Sequence, residues 1–167
     1  MCKTAQVTQA MIGYFEGDLR RINHLLKVFA YASTIGQLEM LDPPTQRVLE
    51  LAALTHDIGI KVSERKYGSA SGLDQQREGP AEAEMLLHAL QVDPDVTQRV
   101  CWLIAHHHTY DHLTGLDYQI LVEADFLVNM DEDGMSEASI RTIGKQIFRT
   151  AAGLDLLRSL YPFCAEP

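Results

Sequence analysis

His24 in RINHLLKVFAYASTI, the pair His56-Asp57 in LAALTHDIG and Asp125 in YQILVEADFLVNM stand in stretches that otherwise have the apolar content of a core. Leu49, Ala52, Ala53 and His56 follow i, i+3, i+4, i+7 spacing, so His56 continues an apolar stripe and Asp57 lies about 100° further round the helix. An ionised Asp there needs a cation or several donors, because an unpaired buried charge is very costly. The alternative is a helix-end carboxylate that reaches solvent. Asp125 shares a stripe with Leu121 and Val128, and its helix carries two other polar interruptions, Glu123 and Asn129. The three do not share a face, so at least one must point inward, unless the helix simply has a thin wet stripe. Asn129, one turn beyond Asp125, could orient it. His24 falls on a largely apolar face with Val28, Tyr31 and Ile35, where a lone His is ordinarily a satisfied core residue. The run His106-His107-His108, with His112 behind it, ends VCWLIAHHH. A helix C-terminus favours imidazolium, yet three consecutive His span about 200° of helix, so one or two can face a shared site. Together these positions supply His24, His56, Asp57 and Asp125 from three separate helices. His and Asp are the donors of divalent Mn, Fe, Ni, Co, Mg or Zn sites, with no Cys required.

The elements that must position these residues read almost entirely as helix. Leu, Ala, Glu and Gln abound and alternating β-branched runs are missing. Asp42-Pro43-Pro44 and Asp93-Pro94 place an N-cap acid before Pro in the first turn of two helices. Gly79-Pro80 opens another, Asp117 precedes the Asp125 helix, and Ser136 precedes EASIRTIGKQIFRT. A helix runs from about 17 to 37, with shorter ones near the N-terminus and at about 154–160. Gly68, Gly72 and a Ser/Ala run make Lys61–Glu78 a long mobile loop, and Thr109–Leu116 a shorter connection. The expectation is one all-α domain over residues 1–167, a helical bundle with the metal-site core at about 20–130 and C-terminal helices at 135–162. The 167 residues suit a single domain, and 46% hydrophobic content suits a folded one. With 14 Lys+Arg against 23 Asp+Glu the net charge is −9, which disfavours long nucleic acid as a partner. Cys2, Cys101 and Cys164 form no disulfide framework or CxxC knuckle, which fits a reducing, cytoplasmic compartment. No run of 18 apolar residues exists, so no membrane span is expected.

The order and spacing of His24, His56-Asp57 in LTHDIG and Asp125 in EADFLV resemble the HD-domain superfamily of metal-dependent phosphohydrolases. That superfamily has the pattern H…HD…D, each on its own helix of an all-α bundle. The likeness covers about Arg20 to Asn129. LTHDIG and HHHTYD are also similar to segments of its cyclic-dinucleotide phosphodiesterases, but the GYP tripeptide of that branch is missing. The Glu-Asp pair of the alarmone hydrolases is missing too. Where many members place another His before the next helix, this chain has Gln75, Gln76, Arg77 and Glu78. The resemblance therefore implies a small stand-alone HD-domain protein.

The chemistry implied is hydrolysis by metal-activated water. Two imidazoles and two carboxylates leave open positions on a divalent ion, where water becomes acidic and a phosphoryl oxygen is polarised. Asp57 is the candidate to orient or deprotonate that water. Lys61, Arg65, Lys66 and Arg77 cluster around the expected loop and could hold substrate phosphate or form a lid, unless they are a solvated face among Glu64, Asp74 and Glu78. His107, with His106 and His108, is expected to line the pocket and donate to phosphate. One tightly held ion is favoured, since only Glu78 or Glu82 stands in the expected place of a further ligand. The favoured function is hydrolysis of a small phosphate ester or nucleotide. A di-iron oxygenase of the same superfamily and a non-catalytic metal- or nucleotide-binding module are the alternatives.

Overall fold

In a computed structural model the described residues are 3–111 and 113–165, so Cys2 and His112 lie outside them. Among the described residues the chain forms nine α-helices, one short 3₁₀ turn and no strand. The helices are α1 (Lys3–Tyr14), α2 (Leu19–Leu38), α3 (Pro43–Thr55), α4 (Gly59–Tyr67), α5 (Gly72–Ala89), α6 (Pro94–His106), α7 (Leu116–Glu132), α8 (Glu137–Gln146) and α9 (Ala151–Leu160). No helix among these residues is long and apolar enough to cross a membrane.

The helix starts follow side-chain chemistry. Asp42 and Asp93 cap α3 and α6 by accepting from Thr45 N–H and from Asp95 and Val96 N–H, each ahead of a Pro in the first turn. Ser71, Ser136 and Thr150 cap α5, α8 and α9 in the same way. α3 and α7 are central. Leu49, Leu51, Ala52, Ala53 and Leu54 are at most 1% exposed, and Ile120, Leu121, Val122 and Ala124 match them. A helix apolar on all sides can only sit inside. α2 packs against both, so α2, α3 and α7 frame the middle of the molecule.

Glu123 is one of the polar interruptions of α7, and it is wholly buried. Its Oε1 accepts from Gln119 Nε2 at 2.7 Å, Arg149 N–H at 2.7 Å and Thr150 N–H at 3.0 Å, and its Oε2 takes the Thr150 hydroxyl. These donors satisfy the carboxylate and tie the start of α9 to α7, since a buried polar group must be bonded. Gly153 completes this contact, because a Cβ there would lie 2.0 Å from Glu123 Oε2.

Two expectations are corrected. Lys61–Glu78 is not a long mobile loop: α4 runs to Tyr67, α5 begins at Gly72, and only 68–71 is irregular. Gly68 ends α4 at φ 71° as a left-handed cap, and Ser71 starts α5 as an N-cap, so two helices meet where Gly and Ser suggested a loop. Gly72 is helical and lies against the His108 ring. Nor does Gly79-Pro80 open a helix; Pro80 lies inside α5. Gly79 is there for a close approach. A Cβ on Gly59 of α4 would fall 2.7 Å from the Gln75 carbonyl and 2.8 Å from Gly79 N, and one on Gly79 would fall 2.6 Å from Ile104.

Because Gly59 meets backbone rather than a flexible side chain, Gly59→Ala must push α4 from α5. Its expected cost is about 1–3 kcal/mol, read as a lower urea midpoint at unchanged slope. An unchanged midpoint would mean that the two helices separate freely.

Candidate metal centre

α3 ends at Thr55, and residues 56–58 turn sharply into α4. The turn is closed by Ile58 N–H to the Thr55 carbonyl at 3.0 Å and Ile60 N–H to the Asp57 carbonyl at 3.0 Å. His56 and Asp57 therefore lie in a buried turn between helices rather than on a helix face. His56 is 1% exposed, and its Nδ1 donates to the Ala53 carbonyl at 2.9 Å, which leaves Nε2 as the free ring nitrogen. α2 brings His24 and α7 brings Asp125 to the same point. His24 Nε2 lies 3.3 Å from His56 Nε2, 3.3 Å from Asp125 Oδ1 and 3.5 Å from Asp57 Oδ2. His56 Nε2 lies 3.5 Å from both Asp57 Oδ1 and Asp125 Oδ1.

The Nε2 atoms of two imidazoles whose Nδ1 atoms already donate elsewhere, His56 to the Ala53 carbonyl and His24 to Glu132 Oε2 at 2.9 Å, thus face each other between two carboxylates. Asp125 Oδ1 is buried and makes no hydrogen bond, despite its nearness to both rings. A set of converging acceptors of this kind needs a cation or extra protons at its centre. The donor types, His₂Asp₂, are those of a divalent ion, so the residues fit the metal that their pattern implies.

A second donor group shares Asp57. His107, 2% exposed, gives its Nδ1–H to the Ile104 carbonyl at 2.7 Å, and its buried Nε2 has no hydrogen-bond partner. That nitrogen lies 3.7 Å from Asp57 Oδ1. Asp57, His107 and His108 offer ligand atoms within 4.8 Å of one another, as do His24, His56 and Asp57. A lone pair on His107 Nε2 suits a cation better than the expected donation to phosphate. His108 is partly buried: its Nε2 faces Gln75 Oε1 at 3.4 Å and its Nδ1 faces the Tyr110 hydroxyl at 3.4 Å.

Two of the four metal candidates, His24 and Asp57, line a cleft of about 640 Å³ together with Arg20, Arg21, Asn129 and Glu132, and His56 and Asp125 lie behind them. The other sequence candidates go elsewhere. His106 stacks on Trp102, ring centres 4.2 Å apart, with Nδ1 on the Trp102 carbonyl at 2.6 Å. Lys61 donates to the Tyr14 carbonyl at 2.8 Å and lines a separate pocket with Arg65 and Glu82. Lys66 pairs with Glu78, which spends that carboxylate on a cation, and Arg77 lies over the Tyr67 ring. Helical α4 and α5 turn these side chains outward, so the expected basic loop over the site does not form. The cations at the cleft are Arg20 and Arg21, one turn before His24 on α2, where their spacing to His24 was the available signal.

Asn129 lines the cleft but makes no bond to Asp125 among the described residues. The partner that sequence reading missed is Glu132, seven residues beyond Asp125 on the same stripe, whose Oε2 accepts from His24 Nδ1 at 2.9 Å.

A family model for the HD domain matches residues 21–149. The chain belongs to the HD-domain family. Over 96% of this chain and 86% of the other, the fold is similar to the crystal structure of a predicted HD superfamily hydrolase from an uncultured Thermotogales bacterium, with 25% identity and a TM-score of 0.67. No curated protein matches the chain at a significant level. The matched stretch contains His24, His56, Asp57 and Asp125.

Charges in the cluster are strongly coupled to its geometry. Burial alone would lower His56, but the Asp57 charge and the contact with Asp125 hold it up at about 9. His24 is likewise raised against burial, by Asp125 and Asp57. Burial opposes ionisation of Asp57, yet His56 and His107 pull it down to about 2, and His24 and His56 hold Asp125 well below the carboxylate range. His108 is pushed down to about 4 by burial and by His107, so it stays neutral. In the metal-free protein His56 then stabilises the fold fully below its ordinary 6.5, and that contribution fades as pH rises through about 9. Asp57 stabilises above its ordinary 3.8, and that contribution is lost as pH falls through about 2.

A divalent ion needs both Nε2 lone pairs, so its uptake must expel protons. Affinity for Mn²⁺ is expected to rise from about pH 6 to about pH 8, by up to about tenfold per pH unit for each proton released. Calorimetry in buffers of different ionisation enthalpy reads the protons directly. Equal affinity across this range with no proton release would contradict the assignment.

Proposed function

We propose that this HD-domain protein is a metal-dependent phosphohydrolase acting on a small phosphate ester or nucleotide. The observation that carries the reading is the convergence of His24, His56, Asp57 and Asp125 on one point beside a cleft of about 640 Å³. Membership of the HD family and the likeness to a predicted HD superfamily hydrolase support metal-dependent hydrolysis. These four residues would hold the ion, which when bound polarises phosphoryl oxygens and acidifies water.

The chain's own groups supply the rest. Asp57 turns Oδ2 toward His24 and Oδ1 toward His56 and His107 while keeping 16% side-chain exposure to the cleft. It is the carboxylate placed to orient water and accept its proton. Arg20 and Arg21 offer positive charge at the rim, in place of Lys61, Arg65, Lys66 and Arg77. Arg21 is held by Asp18 at 3.1 Å and Glu64 at 2.5 Å, whereas Arg20, with 76% side-chain exposure and a single loose pairing with the exposed Asp133 at 3.8 Å, can swing toward a phosphate. A net charge of −9 repels long polyanions, so a compact substrate is the better match. Cys101 and Cys164, unpaired among the described residues, fit a cytoplasmic setting.

The second donor group, Asp57-His107-His108, favours a second reading of the same site as a dinuclear centre, which would also serve a di-iron oxygenase. Ions counted per chain in wild type and in His107→Ala separate one ion from two, and iron content with oxygen uptake separates the chemistries. The test of the main reading is a screen of nucleotides and phosphate esters with Asp57→Ala as control. The variant is expected to stay folded and lose at least about 100-fold in turnover. Turnover near the wild-type rate would remove Asp57 from the mechanism.

A further inference from the structure

Three buried or nearly buried imidazoles face Asp57: His24, His56 and His107. In two of them a backbone carbonyl fixes the ring. His56 Nδ1 donates to Ala53 and His107 Nδ1 to Ile104, bonds that no side-chain substitution removes. His24 lacks such a carbonyl, and its Nδ1 meets Glu132 Oε2 at 2.9 Å instead. We propose that Glu132 is the positioning residue of the metal centre, fixing the His24 ring so that Nε2 presents its lone pair to the ion. This rests on the metal-centre reading of the site.

The arrangement is reciprocal between two helices. α2 supplies His24 and, one turn on, Lys27; α7 supplies Asp125 and, seven residues on, Glu132. Glu132 commits both oxygens to α2, Oε2 to His24 and Oε1 to Lys27 Nζ at 3.0 Å. With 14% side-chain exposure it is shielded from competing water, and the Lys27 bond restricts its rotamer. His24 is thereby clasped at both ends of its ring, by Glu132 at Nδ1 and by Asp125 near Nε2 at 3.3 Å. A carboxylate accepting from Nδ1–H excludes the opposite tautomer, which would put hydrogen on the nitrogen that must bind. Rotation of the ring by 180° would exchange that bond for a C–H against a carboxylate. Glu132 lines the same cleft as the cluster but faces the back of the imidazole, so its action on the ion passes through His24.

The test is metal affinity rather than turnover. Mn²⁺ and Zn²⁺ are titrated calorimetrically into metal-stripped wild type, Glu132→Ala and Glu132→Gln, with metal-free melting curves as the fold control. Glu132→Ala is expected to weaken binding about 10- to 100-fold. Glu132→Gln keeps an oxygen that can accept from Nδ1–H and is expected to stay within about fivefold of wild type. Wild-type affinity in Glu132→Ala overturns the proposal, and so does a Gln variant as weak as the Ala one. Wild type that takes up neither metal overturns the metal centre itself, a distinct result. A second measurement needs no variant. In zinc-loaded wild type, ¹H–¹⁵N spectra of the imidazoles must show His24 bound through Nε2 with Nδ1 protonated; binding through Nδ1 overturns the proposal even if a variant fails to fold.

Discussion

The structure turns on a repulsion that only positive charge can relieve. Two imidazole nitrogens lie 3.3 Å apart inside the molecule, and each lies 3.3–3.5 Å from an oxygen of both Asp57 and Asp125. Each is an acceptor once its neighbours' other bonds are counted. Left to themselves such groups would separate into solvent. They stay because their helices are held by the core, and because a cation or protons at their centre turn the repulsion into attraction. The chain spends protons on this in the metal-free state, which is why the imidazoles are raised and the carboxylates lowered together.

The scaffold is arranged to make that concentration rigid. α7 and the C-terminal half of α3 are buried on nearly all sides, so α7 cannot rotate to carry Asp125 outward and α3 holds the 56–58 turn in place. The turn at 56–58 has no slack, since Gly59 begins the next helix in contact with the backbone of α5. α7 is fixed from its far side by Glu123, whose bonds to Arg149 and Thr150 anchor the start of α9. Two carboxylates on one helix thus serve different ends. Glu123 finds donors on every side and is structural, whereas Asp125 Oδ1 finds none and points at the site. Environment rather than residue type separates them.

The helical character, the Asp42, Asp93 and Ser136 starts, and the four residues of the cluster were legible in the sequence. Each depends on a local signal: a capping residue beside Pro, or a polar residue on an apolar stripe. What was not legible depends on distant partners. Lys61–Glu78 looked like a loop because Gly68, Gly72 and a Ser/Ala run read as breakers, but Gly68 is a left-handed cap and Gly72 packs against the His108 ring; Gly79, read with Pro80 as a helix start, serves close packing inside α5. With that loop gone, the basic residues on it face solvent or their own acids, and the role of cleft cation passes to Arg20 and Arg21. The His run split three ways for the same reason. His106 found Trp102, His107 found Asp57, and His108 found Gln75 and Tyr110, none of which periodicity could assign. Glu132 shared the stripe of Asp125 and was within reach of sequence reasoning, but only the packing of α2 on α7 shows that it meets His24.

The central claim is that the cluster is completed by a divalent ion. Its most direct test is thermal unfolding of the metal-stripped protein with and without added Mn²⁺, paired with metal analysis of the protein as isolated. At 100 times the dissociation constant the bound ion should add about 2.7 kcal/mol of stability, a rise in Tm of roughly 5–10 °C for a chain of this size. An unchanged Tm together with no metal in the isolated protein would contradict the account.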